Sequence, residues 1–125
     1  MNPQHVVARN FAWCAEHDDR SFSGRLHEAR LWDRDEYWLL EEALYQLSLA
    51  QETSQELNWR VFRVFSYCFM LFGCHLDRND LFKITNLKRR EVYEFRERFQ
   101  LVFEGFFSKD MPDQESFAEQ NPLLV

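Results

Sequence analysis

Three groups of residues have types and spacing that could do chemistry. The first is a set of soft metal ligands: Cys14 and His17 share a helical face, and Cys68, Cys74 and His75 lie close together. Zinc takes four convergent ligands, usually delivered by paired short clips. The Cys68–Cys74 spacing is no such clip, and Cys68 falls in an apolar run. Core thiols and scattered histidines are the simpler account, so no metal and no other cofactor is expected. The second group is a basic stripe with a ring in it. At helical spacing Arg89, Tyr93 and Arg96 fall on one side together with Gln100, next to Lys88 and Arg90. Cations interleaved with an aromatic suit a phosphate backbone, and a short helix before the stripe could imitate a helix-turn-helix. Glu91, Glu94, Glu97 and Glu104 are interleaved with it and would repel phosphates, so an ordinary solvated face is the plainer account.

The third group is acidic and aromatic. Trp38, Tyr45 and Leu49 line up along one helical face, flanked by Glu41 and Glu42, with Asp35 a turn earlier. Rings supply contact area and carboxylates supply steering, a sensible composition for gripping a basic protein. The competing account is that helix 1 or the segment before residue 32 covers this face, which makes the helix a second central one. Catalysis has no comparable group. The carboxylates sit mostly at helix starts or at helical spacing from arginines, where caps and solvated pairs explain them. No Gly-rich phosphate loop, GxSxG elbow or recognisable Cys–His pair occurs, and the chain is not expected to be an enzyme.

The elements that must position these groups are helices. Gly and Pro number only 3 each, too few for a many-stranded sandwich, while 46% of residues are apolar and 13 are Phe. The expected fold is all-α: one domain, a bundle of four main helices plus short ones. Its centre is an apolar helix at about 54–72, LNWRVFRVFSYCFMLF in its main part, apolar on nearly every side and therefore expected to be buried. Asn2 and Pro3 open a first helix to about residue 16. Residues 18–31 read as a loop with at most a short helical turn. Asp33 and Glu36 form a capping box for a helix to about residue 51, whose core stripe is Tyr37, Leu40, Ala43, Leu44 and Leu47. Thr53 and Glu56 open the central helix, and Gly73 is its expected stop. Asp77 to Asp80 suggest a cap for a short helix through 84. Thr85 and Asn86 then cap the last helix, about 87–107, with Val92, Phe95, Phe99, Val102 and Phe106 inward. This divides the chain into a helical domain, 1–108, and an acidic C-terminal tail, 109–125, with room for one short helix near 112–120 and loose last residues.

The net charge of −6 is unevenly spread: residues 1–60 hold 6 basic against 11 acidic side chains, 61–108 hold 8 against 6, and 109–125 hold 1 against 4. Such a chain is poorly disposed to nucleic acid in general and well disposed to a basic protein. Three unpairable-as-a-set cysteines and the lack of a secretory pattern point to a reduced, cytoplasmic setting. The charge-free stretch 64–74 is about half of the roughly 20 residues a membrane span needs, so no membrane is expected.

Residues 21–47, SFSGRLHEARLWDRDEYWLLEEALYQL, carry Phe22-Ser-Gly24, Leu26-His-Glu28, Leu31-Trp32-Asp33 and the aromatic helix that follows. This run resembles the all-helical immunity proteins of bacterial polymorphic-toxin and contact-dependent growth-inhibition systems. The resemblance implies a small cytoplasmic protein that binds one cognate toxin domain, often a basic nuclease, and blocks it by direct contact. The partner surface expected on that reading is Asp35, Trp38, Glu41, Glu42 and Tyr45. The second reading is a helical nucleic-acid-binding regulator using Arg89, Tyr93 and Arg96, and a third is an adaptor or inhibitor from a phage or mobile element.

Overall fold

The computed structural model describes residues 1–124 and is all-α. Five α-helices follow in order: α1 (Pro3–Asn10), α2 (Phe22–Ala29), α3 (Arg34–Leu47), α4 (Gln55–Leu76) and α5 (Arg89–Ser108). Two 3-10 turns, Gln114–Ser116 and Pro122–Leu124, follow α5.

The extra helix is α2, in the stretch expected to be loop. Ser21 caps it, its hydroxyl accepting the Gly24 N–H at 3.2 Å, and Phe22 and Leu26 are fully buried. Phe22 and Leu26 keep helical spacing, but eight residues are too few for the pattern to stand out among Ser, Gly and charges; tertiary burial, not propensity, holds such a helix. Gly24 is required there, because a Cβ would lie 2.7 Å from the Asp19 carbonyl oxygen. α1 starts as expected, with Asn2 accepting the Gln4 N–H at 2.8 Å, but stops at Asn10 rather than near 16. The Asn10 carboxamide turns back to the Val6 carbonyl at 2.9 Å and accepts the Ser23 N–H at 2.8 Å. The Ser23 hydroxyl meanwhile donates to the Asn10 carbonyl at 2.7 Å, occupying a group that another helical turn would use.

Asp33 caps α3 at its expected start, and the helix ends at Leu47, a turn earlier than periodicity suggests. Ser54, not Thr53, caps α4. Gly73 does not stop that helix, which runs on to Leu76; Lys83 Nζ then donates to the carbonyls of His75 and Asp77 at 3.0 and 2.7 Å. Residues 77–88 hold no helix, so the expected short helix through 84 is absent. Asn86 is not a helix cap either. Its carboxamide accepts the Trp32 N–H at 2.8 Å and donates to the Trp32 carbonyl at 2.9 Å, clipping the α2–α3 link to the α4–α5 link. α5 begins at Arg89 instead, with the Glu91 carboxylate closing on the Lys88 N–H at 2.9 Å.

The core centre also shifts. Phe22, Trp32, Tyr37, Phe72, Phe95 and Phe99 form one aromatic cluster, with Phe22 4.8 Å and Phe95 4.4 Å from the Trp32 ring. α2 and the α2–α3 link therefore supply its middle. α4 packs against α1, α2 and α5 through Val61, Val64, Cys68, Leu71 and Phe72, but it is not buried all round. Trp59, Phe62 and Met70 are 56%, 45% and 54% exposed, so its outer face is apolar and open. Residues 109–124 lie along α3 and α5 rather than loose; Val125 is outside the described residues.

Candidate functional site

The acidic, aromatic face of α3 is not a free surface. Trp38 is 5% exposed and Glu41 is completely buried, and Tyr45 is half-buried with its hydroxyl on the Pro112 carbonyl at 2.6 Å. The cover is neither α1 nor the loop before α3 but the C-terminal segment. Arg98 of α5 reaches Glu41 through Nε and Nη2 at 2.7 and 2.8 Å, and its guanidinium lies 4.8 Å from the Trp38 ring and 4.2 Å from the Phe117 ring. Gln114 and Asn121 each donate a carboxamide N–H to the same carboxylate, at 3.1 and 3.0 Å, and Tyr37 donates its hydroxyl at 3.1 Å. Asn121 also donates to the Trp38 carbonyl, and Arg98 to the Glu119 carbonyl.

Glu41 is thus a saturated buried acceptor, and a role for it in gripping a partner is withdrawn. Burial, then the neighbouring carboxylate, pushes the Tyr37 phenol well above its ordinary value, so it stays a donor. Burial opposes the charge on Arg98, but the hydrogen bond and charge of Glu41 outweigh it and hold the group above its ordinary value. Of the five residues expected on the partner surface, only Asp35 is exposed and Glu42 half-exposed; Trp38, Glu41 and Tyr45 are structural.

The acidic, aromatic chemistry reappears one helix over. Between α5 and residues 116–119 runs an open cleft of about 630 Å³. Phe95, Leu101 and Phe117 form its floor, and Glu91, Glu94, Glu97 and Glu119 line it against two cations, Arg34 and Arg98. Both cations are already engaged: Arg34 with Glu119 at 2.6 Å and Glu91 at 3.5 Å, Arg98 with Glu41. Glu94 holds only the exposed Arg90 beside it at 2.9 Å, and Glu97 is exposed on the cleft rim. Glu94, Glu97 and Leu101 sit at i, i+3 and i+7 on α5, a signal present in the sequence; that Phe117 would close the other side was not readable from it.

The basic stripe is brought together. Tyr93 is exposed, with the Arg89 and Arg96 guanidinium carbons 6.0 and 5.7 Å from its ring centre. The helix-turn-helix context is missing, because nothing helical precedes α5 directly. The cysteines are dispersed: Cys68 is buried with its thiol pushed upward by desolvation, Cys14 meets Glu16, and His75 accepts the Ile84 N–H at 2.9 Å. Among the described residues no group of three or more His, Cys, Asp or Glu side chains converges as a metal site needs, and no helix is long and apolar enough to cross a membrane.

No protein-family model, curated protein or solved structure matches this chain.

Proposed function

We propose that the chain is an immunity protein, which binds and neutralises a cognate bacterial toxin domain by direct contact and performs no reaction of its own. The observation that carries this reading is the cleft beside α5. Its apolar floor suits the aliphatic stem of a lysine or arginine, and its rim carboxylates suit the charged head, so it fits a basic protein surface. Asp35 and Glu42 on α3, with Asp113 and Glu115 beyond α5, add to an acidic surround that would steer such a partner. The likeness of residues 21–47 to immunity proteins supports the same reading and gives the partner its class.

The test starts from any toxin-domain gene that lies next to this chain's gene in its native genome. Co-expression with the chain is expected to restore growth of cells making that toxin, and the two proteins are expected to purify as a complex. Glu94→Lys with Glu97→Lys is expected to slow association at least about tenfold at low salt and less at high salt, as rim charges act on encounter. An association rate unchanged by the double reversal would remove the cleft from the interface. Failure to protect against any adjacent toxin would remove the immunity reading itself.

The second reading rests on the exposed Arg89–Tyr93–Arg96 stripe. If the chain is an immunity protein, it should not retard random duplex or single-stranded nucleic acid at either low or moderate salt. Salt-sensitive retardation by the wild-type chain that is lost in Arg89→Glu with Arg96→Glu would promote the nucleic-acid reading instead.

A further inference from the structure

The solvent side of α4 is built like the seam of a helix pair. Trp59, Phe62, Ser66, Phe69, Gly73 and Leu76 recur at alternating steps of three and four residues, the spacing that keeps a single row facing a partner helix. None is charged, and the row extends along roughly 25 Å of helix. An outward strip of a bundle helix is normally polar; this one leaves Trp59, Phe62 and the flanking Met70 exposed, with Phe69 and Leu76 half-covered where they also meet the core.

We propose that this strip pairs with the same strip of a second copy of the chain, antiparallel about a two-fold axis, to form a homodimer. Two complementarities point to a second copy as the occupant. The first is size. With the axis crossing between Tyr67 and Cys68, Phe62 meets the partner's Gly73 and Phe69 meets the partner's Ser66. Each ring then faces a position with little or no side chain, and the space over Gly73 is open, with nothing within 4 Å of where a Cβ would stand.

The second is charge. α5 runs antiparallel beside α4, so that Glu104, Phe103 and Phe107 lie level with Phe62 and Phe65. Arg96 lies two turns back, toward the Gly73 end, and engages only the Tyr93 ring among the described residues. The same two-fold carries Glu104 of one chain toward the partner's Arg96, and cation meets anion twice in an isologous interface. On the other flank Arg63 rests between Trp13 and Trp59, at 4.3 and 5.7 Å from their ring centres. The two Arg63 side chains are separated by about 13 Å along the seam, more than a screening length at physiological salt.

This pairing uses a face apart from the cleft and does not depend on the toxin-binding reading. Sedimentation equilibrium of the full chain alone tests it, with circular dichroism to confirm the fold. The wild-type chain should be a dimer in the micromolar range that interfaces of modest size reach. Phe62→Glu and Gly73→Arg should each be folded monomers, since both positions are open in the single chain. Phe62→Glu combined with Gly73→Arg should dimerise again, because only the antiparallel register sets the new anion on the new cation. A wild-type monomer at its solubility limit, single variants that still dimerise, or a folded double variant that stays monomeric would each overturn the pairing. A monomer would leave toxin binding through the cleft untouched.

Discussion

Glu41→Gln is expected to destabilise the fold by about 3–5 kcal/mol, the cost of leaving one member of a buried ion pair without its counter-charge. The glutamine keeps the shape of the side chain but cannot balance Arg98, which is almost wholly buried between Trp38, Phe117 and residues 114–121. It also presents N–H where Gln114, Asn121 and Arg98 Nη2 already present N–H, so three donors lose an acceptor. Against a total stability of about 5–15 kcal/mol, that is a large part of the whole. Urea denaturation reads the loss directly, and limited proteolysis within 109–120 should quicken in parallel. A paired substitution sharpens the result: Glu41→Met with Arg98→Met should recover much of the stability, because well-packed apolar groups replace a buried pair at little net cost. A single variant that melts like the wild-type chain would mean the C-terminal segment does not seal this site.

Phe22→Ala should be comparably damaging, at about 3–5 kcal/mol for a fully buried aromatic truncated in a cluster with little freedom to collapse. Its ring touches Trp32, Tyr37 and Phe99, so one truncation unsupports three elements. Phe69→Ala, by contrast, removes a ring that is only half-buried and should cost about 1–2 kcal/mol, well under the usual range for a buried ring. The order of the two effects separates the architectures. If α4 alone were the hub, Phe69 would be the more damaging site; with the hub at α2 and the α2–α3 link, Phe22 is.

What could be read from the sequence was whatever local chemistry decides. The Asn2 and Asp33 caps act within three residues, and the inward stripe of α5 repeats over about four turns, so helix class and the starts of α1 and α3 were legible, while the caps of α4 and α5 fell one to three residues from the expected ones. α2 was not, because it is only eight residues long and its Ser, Gly and alternating charges read as loop. The outward face of α3 shows the deeper limit. Periodicity assigns Trp38 and Tyr45 to the side away from Leu40 and Leu44, which is correct, but it cannot say that a segment some 70 to 80 residues later lies on that side. Nor does that segment advertise itself: it docks through carboxamides, one ring and a proline carbonyl, in a stretch whose composition looks like solvent-facing tail. The open strip of α4 is the converse case, where apolar composition suggested burial and the single chain leaves it bare.

The clamp on Glu41 sets a schedule for synthesis. Asn121 follows Glu41 by 80 residues, and Arg98 follows it by 57. At about 5–20 residues per second, α3 emerges several seconds or more before its counter-ion and its last two hydrogen-bond donors have been made. During that interval Trp38, Tyr45 and an unpaired carboxylate stand in the open on the nascent chain. The bundle therefore cannot close in the order in which it is translated, and its acidic aromatic helix is, for the time of translation, a surface that chaperones can reach.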